Sequence, residues 1–154
     1  PTSLSKAPPP EINAFNEPMD GVVYGSLAGL GFAVNEALGY AAYYQEEFST
    51  FYEVADSILM RGLFAVPGHA FDGILMGAFI GFALFRNVNK NLFILLAIFV
   101  PTLFHFLWDF SLYTGFGELV YLIYFIQLIA VIFIFKYFRK LQKAKIIEQE
   151  LRTN

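Results

Sequence analysis

Long apolar stretches, broken by a few ionisable residues, dominate this sequence of 154 residues. Four such stretches run roughly over residues 20–44, 58–85, 92–113 and 118–135. About 20 residues of α-helix cross the hydrocarbon core of a bilayer, so each stretch is long enough to span it. Only 15% of the residues are charged, whereas soluble domains carry roughly 25%. The sequence therefore predicts an all-α, polytopic membrane protein with about four transmembrane helices.

Polar segments divide the chain into three parts. Residues 1–19 contain five prolines and are expected to form an exposed N-terminal loop, with further sequence upstream. Residues 20–138 form the predicted transmembrane helical domain. Residues 139–154 form a charged cytoplasmic tail, expected to continue the last helix into water. The predicted connections within the domain are a polar, acidic loop at 45–57 and tight turns at 86–91 and 114–117.

The placement of lysine and arginine orients these spans. With four spans, the N-terminal segment, the turn at 86–91 and the tail lie on one side of the membrane. That side carries nine of the ten basic residues, all except Arg61. The opposite loop instead holds Glu46, Glu47, Glu53 and Asp56. Because basic residues concentrate in cytoplasmic loops, both termini are predicted to face the cytoplasm.

Glycines recur at every fourth position in the first and second spans. Such small residues let two helix backbones approach closely in a membrane, so we expect these two spans to pack along them. The two ridges are Gly21, Gly25 and Gly29 in the first span and Gly73, Gly77 and Gly81 in the second.

Five ionisable residues lie deep inside the spans: Glu36, His69, Asp72, His105 and Asp109. A charge at such depth costs several kcal/mol unless it is paired or solvated, so a functional site is expected. A rise of ~1.5 Å per residue places these residues in one layer, in the outer half of the membrane. His105 and Asp109 share a helix face, as do His69 and Asp72. A neighbouring carboxylate can orient an imidazole or join it on a metal, although Asp72 could instead pair with Arg61.

An ordered set of short motifs resembles the PrsW family of intramembrane proteases, within the superfamily that contains the CAAX prenyl endopeptidases. The resemblance covers about residues 15–110. Its motifs are Asn-Glu-Pro-Met-Asp-Gly from Asn16, FxxxE from Phe32 to Glu36, an arginine at Arg61, Pro67-Gly68-His69, and HxxxD from His105 to Asp109.

This resemblance implies a hydrolase of the bacterial inner membrane that cuts membrane-embedded or membrane-adjacent peptides, of the type that clips an anti-sigma factor. Its catalytic residues would be Glu36, His69, His105 and Asp109. Glu36, His69 and His105 could hold a zinc ion as in a metalloprotease, or could position water and stabilise the oxyanion without metal. Asp109 would orient His105. The expected partners are membrane lipid and a transmembrane protein or peptide, and no nucleic acid.

One family element is missing from this chain. The EExxK motif, which normally lies just upstream of Asn16, is not there, and Glu46-Glu47 lacks the following lysine. Either an upstream segment or a second chain supplies this motif, or the chain is an inactive relative.

Two other classes of function stay open from the sequence. His69 and His105 could be the paired axial ligands of a haem. Alternatively, the buried acids could belong to a proton-coupled carrier or to a non-catalytic membrane subunit.

The predicted topology can be tested by cysteine labelling, because the chain contains no native cysteine. Cysteines introduced at Ser3 and Gln149 should resist an impermeant thiol reagent in intact cells, because both would lie inside. A cysteine at Ser49 should react. Labelling of either terminal position would contradict the topology.

Overall fold

The computed structural model describes residues 15–47 and 50–153. Its regular elements are helices, and the described residues contain no strand. The prediction of an all-α protein is therefore confirmed. The helices are α1 (Asp20–Glu47), α2 (Phe51–Met60), α3 (Val66–Phe85), α4 (Lys90–Tyr113) and α5 (Glu118–Thr153).

A single π-helical turn, Arg61–Ala65, joins α2 to α3 without a break in helicity. The backbone N–H of Val66 donates to the carbonyl of Arg61, five residues earlier. Pro67 is the second residue after this turn; it lacks a backbone donor, and its ring crowds the carbonyl of Leu63. The wider turn accommodates this proline and keeps α2 and α3 in one rod of 35 residues. Such π turns occur frequently at functional sites.

The predicted acidic loop at 45–57 is wrong in its extent. The helix α1 continues to Glu47, and α2 begins at Phe51. A capping box explains this start, because the Thr50 hydroxyl accepts from the Glu53 backbone while the Glu53 carboxylate accepts from the Thr50 backbone. The other two connections are short, as predicted; Gly115 (φ 79°) occupies the left-handed region in the turn after α4.

Three of the described helical segments are long and apolar enough to cross a membrane: Phe51–Phe85, Lys90–Tyr113 and Glu118–Arg152. The helix α1 has 28 residues but is less apolar, because glycines and the pair Asn35-Glu36 interrupt it. Three of the four expected spans are thus supported by length and composition, and the fourth stays a prediction. Large apolar side chains such as Leu95 remain exposed on these helices, which suits surfaces that face lipid.

The helix α3 is central, because α1, α4 and α5 all pack against it. It runs antiparallel to α1, and the two backbones touch at the glycine ridges. A Cβ atom added at Gly25 would overlap the carbonyl of Gly73, and one at Gly77 would overlap the carbonyl of Gly21. The predicted contact between the first two spans is therefore confirmed at these positions.

The prediction is wrong for Gly81, the last glycine of the second ridge. A Cβ atom there would meet the ring of Phe138, on α5, rather than α1. Since α1 begins only at Asp20, it does not reach this level of α3. Phe138 fills the space and is fully buried, in a cluster with Val22 and Ile74.

The end of the predicted N-terminal loop is partly buried: Pro18 is buried, whereas Asn16 and Glu17 are exposed. The adjoining residues contact the last helix: the Gln142 side chain donates to the Glu17 carboxylate (2.7 Å), and Lys145 donates to the carbonyl of Asn16. The charged tail is helical, as predicted, but this part of it packs on the bundle. Residues 1–14 of the predicted loop lie outside the described residues.

The close approach of α1 and α3 predicts unequal effects of alanine at two glycines of the same helix. Gly25→Ala should destabilise the protein by about 1–3 kcal/mol, because the new methyl group has no room. Gly39→Ala should be neutral or slightly stabilising, because nothing lies within 4 Å of its Cβ position and alanine favours helix. Thermal unfolding in detergent measures both. Equal melting temperatures would contradict the packing.

Candidate active site

The residues singled out from the sequence meet where α1, α3, α4 and α5 come together beside the π turn. They line a small, mostly polar cavity of about 20 Å³. A space of this size holds roughly one water molecule or ion. Its lining residues with polar side chains are Glu36, Arg61, His69, Asp72, His105, Trp108, Asp109 and Gln127.

Glu36 is held by two partners from the α2–α3 rod. Its Oε2 atom lies 2.8 Å from His69 Nε2 and accepts a hydrogen bond from Arg61 Nη2 at 2.5 Å. The side chains of Glu36 and Arg61 are only 21% and 17% exposed. A carboxylate this deep in a membrane protein needs such partners, because an unpaired charge there is costly. Both contacts use Oε2, which leaves Oε1 available for other chemistry.

Arg61 is fixed from its other side by Tyr40. The guanidinium carbon lies 3.6 Å from the centre of the Tyr40 ring, a cation–π contact. Its Nε atom is buried and has no hydrogen-bond partner among the described residues. The π turn begins at Arg61, so this side chain leaves the helix where the backbone widens.

The two histidines lie next to each other. Their ring centres are 5.1 Å apart, and the ring planes differ by 31°. His69 is almost fully buried. Phe32 lies edge-on to both rings, 5.1 Å from the centre of His69 and 5.9 Å from that of His105. The FxxxE spacing thus places Phe32 and Glu36 one turn apart, and both contact His69.

Carboxylates flank both nitrogens of His105. Its Nδ1 atom lies 3.7 Å from Asp72 Oδ2, and its Nε2 atom lies 3.5 Å from Asp109 Oδ2. Asp109 thus lies beside the His105 ring, one helical turn away, as the sequence pattern predicted, and its role there stays a prediction. Pro101 is buried one turn before His105 on the same helix, where it leaves a backbone carbonyl without its usual helical partner.

Asp72 has a partner that sequence reasoning did not find. The Gln127 amide on α5 donates to Asp72 Oδ1 at 2.6 Å, and Gln127 is only 2% exposed. The suggested alternative, an Asp72–Arg61 pair, is wrong, because Arg61 binds Glu36 instead. The signal for Gln127 was present: it is the only amide or charged residue between Glu118 and Lys136.

The donor atoms of this cluster fit a metal ion. One ligand atom each from His69, Asp72 and His105 lie within 4.8 Å of one another. Two imidazoles and a carboxylate suit zinc and other first-row divalent metals. Glu36, which the sequence analysis grouped with the two histidines, is not part of this donor set among the described residues.

Comparison with known proteins identifies the family. The family model of the PrsW family intramembrane metalloproteases matches residues 11–135. The chain belongs to the PrsW family. It is accordingly an integral membrane protein, and the match includes every residue of the cavity.

Curated relatives named Protease PrsW share about a third of the aligned residues. The protein of Halalkalibacterium halodurans is 31% identical over 98 residues, which cover 62% of this chain and 40% of that protein. The protein of Shouchella clausii is 34% identical (67% and 43% covered), and that of Bacillus subtilis is 33% identical (64% and 41% covered). The chain thus spans about two fifths of the length of these PrsW relatives. No solved structure matches it.

The pairing of Arg61 with Glu36 predicts an energetic coupling between them. Arg61→Met should lower stability by about 1–3 kcal/mol, because it leaves a half-buried carboxylate without its cation. Adding Glu36→Gln should recover part of this loss, because the uncompensated charge is then removed. Thermal unfolding of both single variants and the double variant in detergent measures the coupling.

An exposed pair provides the control for this cycle. Arg152 and Glu148 form an ion pair at 2.6 Å, but their side chains are 77% and 63% exposed. Arg152→Met should therefore change the melting temperature little. Strictly additive effects at Arg61 and Glu36 would show that the two residues are not coupled.

Proposed function

We propose that this protein is an intramembrane endopeptidase that hydrolyses membrane-embedded or membrane-adjacent peptides. The observation that supports this proposal best is the convergence of Glu36, His69, His105 and Asp109, from three helices, in a membrane protein of a metalloprotease family. Ionisable groups buried together in a membrane are costly, so a site of this kind implies a chemical use.

The arrangement supplies the groups that peptide hydrolysis needs. Glu36 Oε1 takes a proton from the attacking water, whose oxygen adds to the scissile carbonyl carbon. The proton then passes to the leaving amine as the C–N bond breaks. Asp109 orients the His105 ring, and the Arg61 guanidinium, which lines the cavity, is close enough to stabilise the oxyanion. Zinc held by the cavity's histidines and a carboxylate would supply a Lewis acid and a more acidic bound water.

A groove beside the cavity offers a route for a peptide. It has a volume of about 310 Å³, and its walls come from α1, α3 and α4. Ala28, Phe32, Met76 and Thr102 line it, and His69, Asp72 and His105 line both the groove and the cavity. Its lining is largely apolar, which suits the side chains of a segment that enters from the lipid.

We place the protein in the bacterial inner membrane, with both termini in the cytoplasm and the site in the outer half of the bilayer. The distribution of lysine and arginine supports this orientation. A membrane-anchored anti-sigma factor, cut near its outer side, is the proposed type of substrate. A further segment or second chain carrying the acidic EExxK motif is a proposed partner, since the chain spans only part of its relatives' length.

The spacing of the histidines gives no support to haem binding. Ring centres 5.1 Å apart and a cavity of about 20 Å³ suit a single small ligand, whereas a porphyrin would have to separate the two rings.

Substitution of Glu36 tests the proposed function. Glu36→Gln keeps the shape of the side chain but removes the base, so cleavage of a co-expressed, tagged membrane substrate should fall by at least about 100-fold. His105→Ala should have a similar effect. Asp109→Asn should be milder, because an amide can still orient the ring.

Glu148→Gln, on the exposed tail, is the matched control and should cleave normally. Immunoblotting of the substrate fragments measures the rates, and the amount of protein in the membrane shows whether each variant folds. Normal cleavage by a well-expressed Glu36→Gln variant would refute the proposal.

A further inference from the structure

Two carboxylates adjoin the histidine pair, and their surroundings differ. Glu36 lies on α1 and Asp72 on α3, next to His69 and His105 respectively. Both are partly buried, with side chains 21% and 18% exposed. Burial alone therefore does not distinguish them as ligands of a metal, but their hydrogen-bond partners do.

Glu36 is poorly suited to bind a cation. One of its oxygens already accepts the Arg61 guanidinium at 2.5 Å and faces His69 Nε2 at 2.8 Å. The charge of the guanidinium balances that of the ionised carboxylate, and it would repel a divalent ion bound to the same carboxylate. Tyr40 holds Arg61 from the other side, so this cation cannot easily swing away.

Asp72 is well suited to bind a cation. Its Oδ1 atom accepts a hydrogen bond from the neutral Gln127 amide, which, unlike the Arg61 guanidinium, brings no positive charge beside the carboxylate. Its Oδ2 atom lies 3.7 Å from His105 Nδ1. Ligands on a tetrahedral zinc ion lie about 3.3 Å apart, given bonds of about 2.0 Å. The distance between Asp72 Oδ2 and His105 Nδ1 is therefore close to the ligand–ligand distance that a shared metal requires.

The environment of this pair resembles that of a metal site. The far nitrogen of His105, Nε2, faces Asp109 at 3.5 Å, as metal-bound histidines usually face a carboxylate or carbonyl. Gln127 is buried in an otherwise apolar stretch of α5, and it fixes the orientation of the Asp72 carboxylate from outside the donor set.

We propose that Asp72, oriented by Gln127, completes a metal site with His69 and His105, and that Glu36 stays outside the coordination sphere. This inference rests on the proposed function, in which Glu36 then serves as the base beside the metal. Asp72 takes the place that the sequence analysis gave to Glu36 as third ligand.

Metal affinity tests this assignment directly. The purified protein in detergent is stripped with a chelator and titrated with Co²⁺, whose visible absorption reports binding, and Zn²⁺ is then added as competitor. Asp72→Asn should weaken Co²⁺ binding by at least about 100-fold. Gln127→Leu should weaken it by roughly 10- to 100-fold, as loss of an outer partner does. Glu36→Gln should stay within about 3-fold of the unmodified protein. Thermal unfolding of the metal-free variants shows which are folded.

A cysteine substitution gives a spectroscopic test that does not depend on affinity. Because the chain lacks cysteine, a thiolate-to-Co²⁺ charge-transfer band can come only from the introduced residue. Asp72→Cys should produce this band. Asp109→Cys is the matched control; it faces the opposite nitrogen of His105 and should not.

Several outcomes would overturn the inference: no Co²⁺ binding by the unmodified protein, no charge-transfer band from folded Asp72→Cys, or a loss of affinity in Glu36→Gln as large as in Asp72→Asn. These outcomes differ from failure of the proposed function. If Glu36→Gln abolishes proteolysis while the protein binds no metal, only the metal assignment fails. If metal binds through Asp72 but no membrane peptide is cut, only the protease proposal fails.

Discussion

The contact between the backbones of α1 and α3 is the constraint on which the site depends. Each step of four residues up α1 matches a step of four residues down α3: Gly21 meets Gly77, Gly25 meets Gly73, and Gly29 meets the backbone of His69. Two further steps of four residues along this antiparallel register place residue 37, next to Glu36, opposite Arg61. The glycines therefore set which side chains of the two helices meet in the cavity, although none of them takes part in its chemistry. A larger residue at Gly25 or Gly73 would force the two backbones apart and so move Glu36 away from its partners.

Much of this arrangement could be predicted, because the membrane makes sequence patterns unusually informative. Long apolar runs can only be helices there, and an ionisable residue inside one of them stands out. Depth in the membrane, helical periodicity, the cost of unpaired charges in lipid and the ordered family motifs together predicted that Glu36, His69, His105 and Asp109 meet. The extent of α2 was mispredicted because a polar, acidic composition is typical of loops, whereas the capping box formed by Thr50 and Glu53 can start a helix in such a segment.

Partners of the side chains were harder to predict than their positions. Their depth in the membrane alone allowed Arg61 to pair with Asp72. In the structure, Arg61 lies at the start of the π turn and against the Tyr40 ring, and it pairs with Glu36. Gln127 was missed because an uncharged amide in an apolar helix carries a weak signal. Its role depends on which helix packs beside Asp72, and the hydropathy of α5 does not contain that information. The contact of Gly81 with Phe138 has the same origin, since a glycine ridge predicts close packing but not the identity of the neighbour.

The contact between Glu17 and Gln142 bears on how often the chain crosses the bilayer. Glu17 precedes α1, and Gln142 lies in the charged end of α5, so both contacting groups belong to polar ends of the bundle. Two such ends can meet only on one surface of the membrane, and the chain between them must then cross an even number of times. Three of the intervening helical segments are apolar enough to cross. An even number of crossings thus favours α1 as the fourth, even though its glycines and Glu36 make it the least hydrophobic of the four.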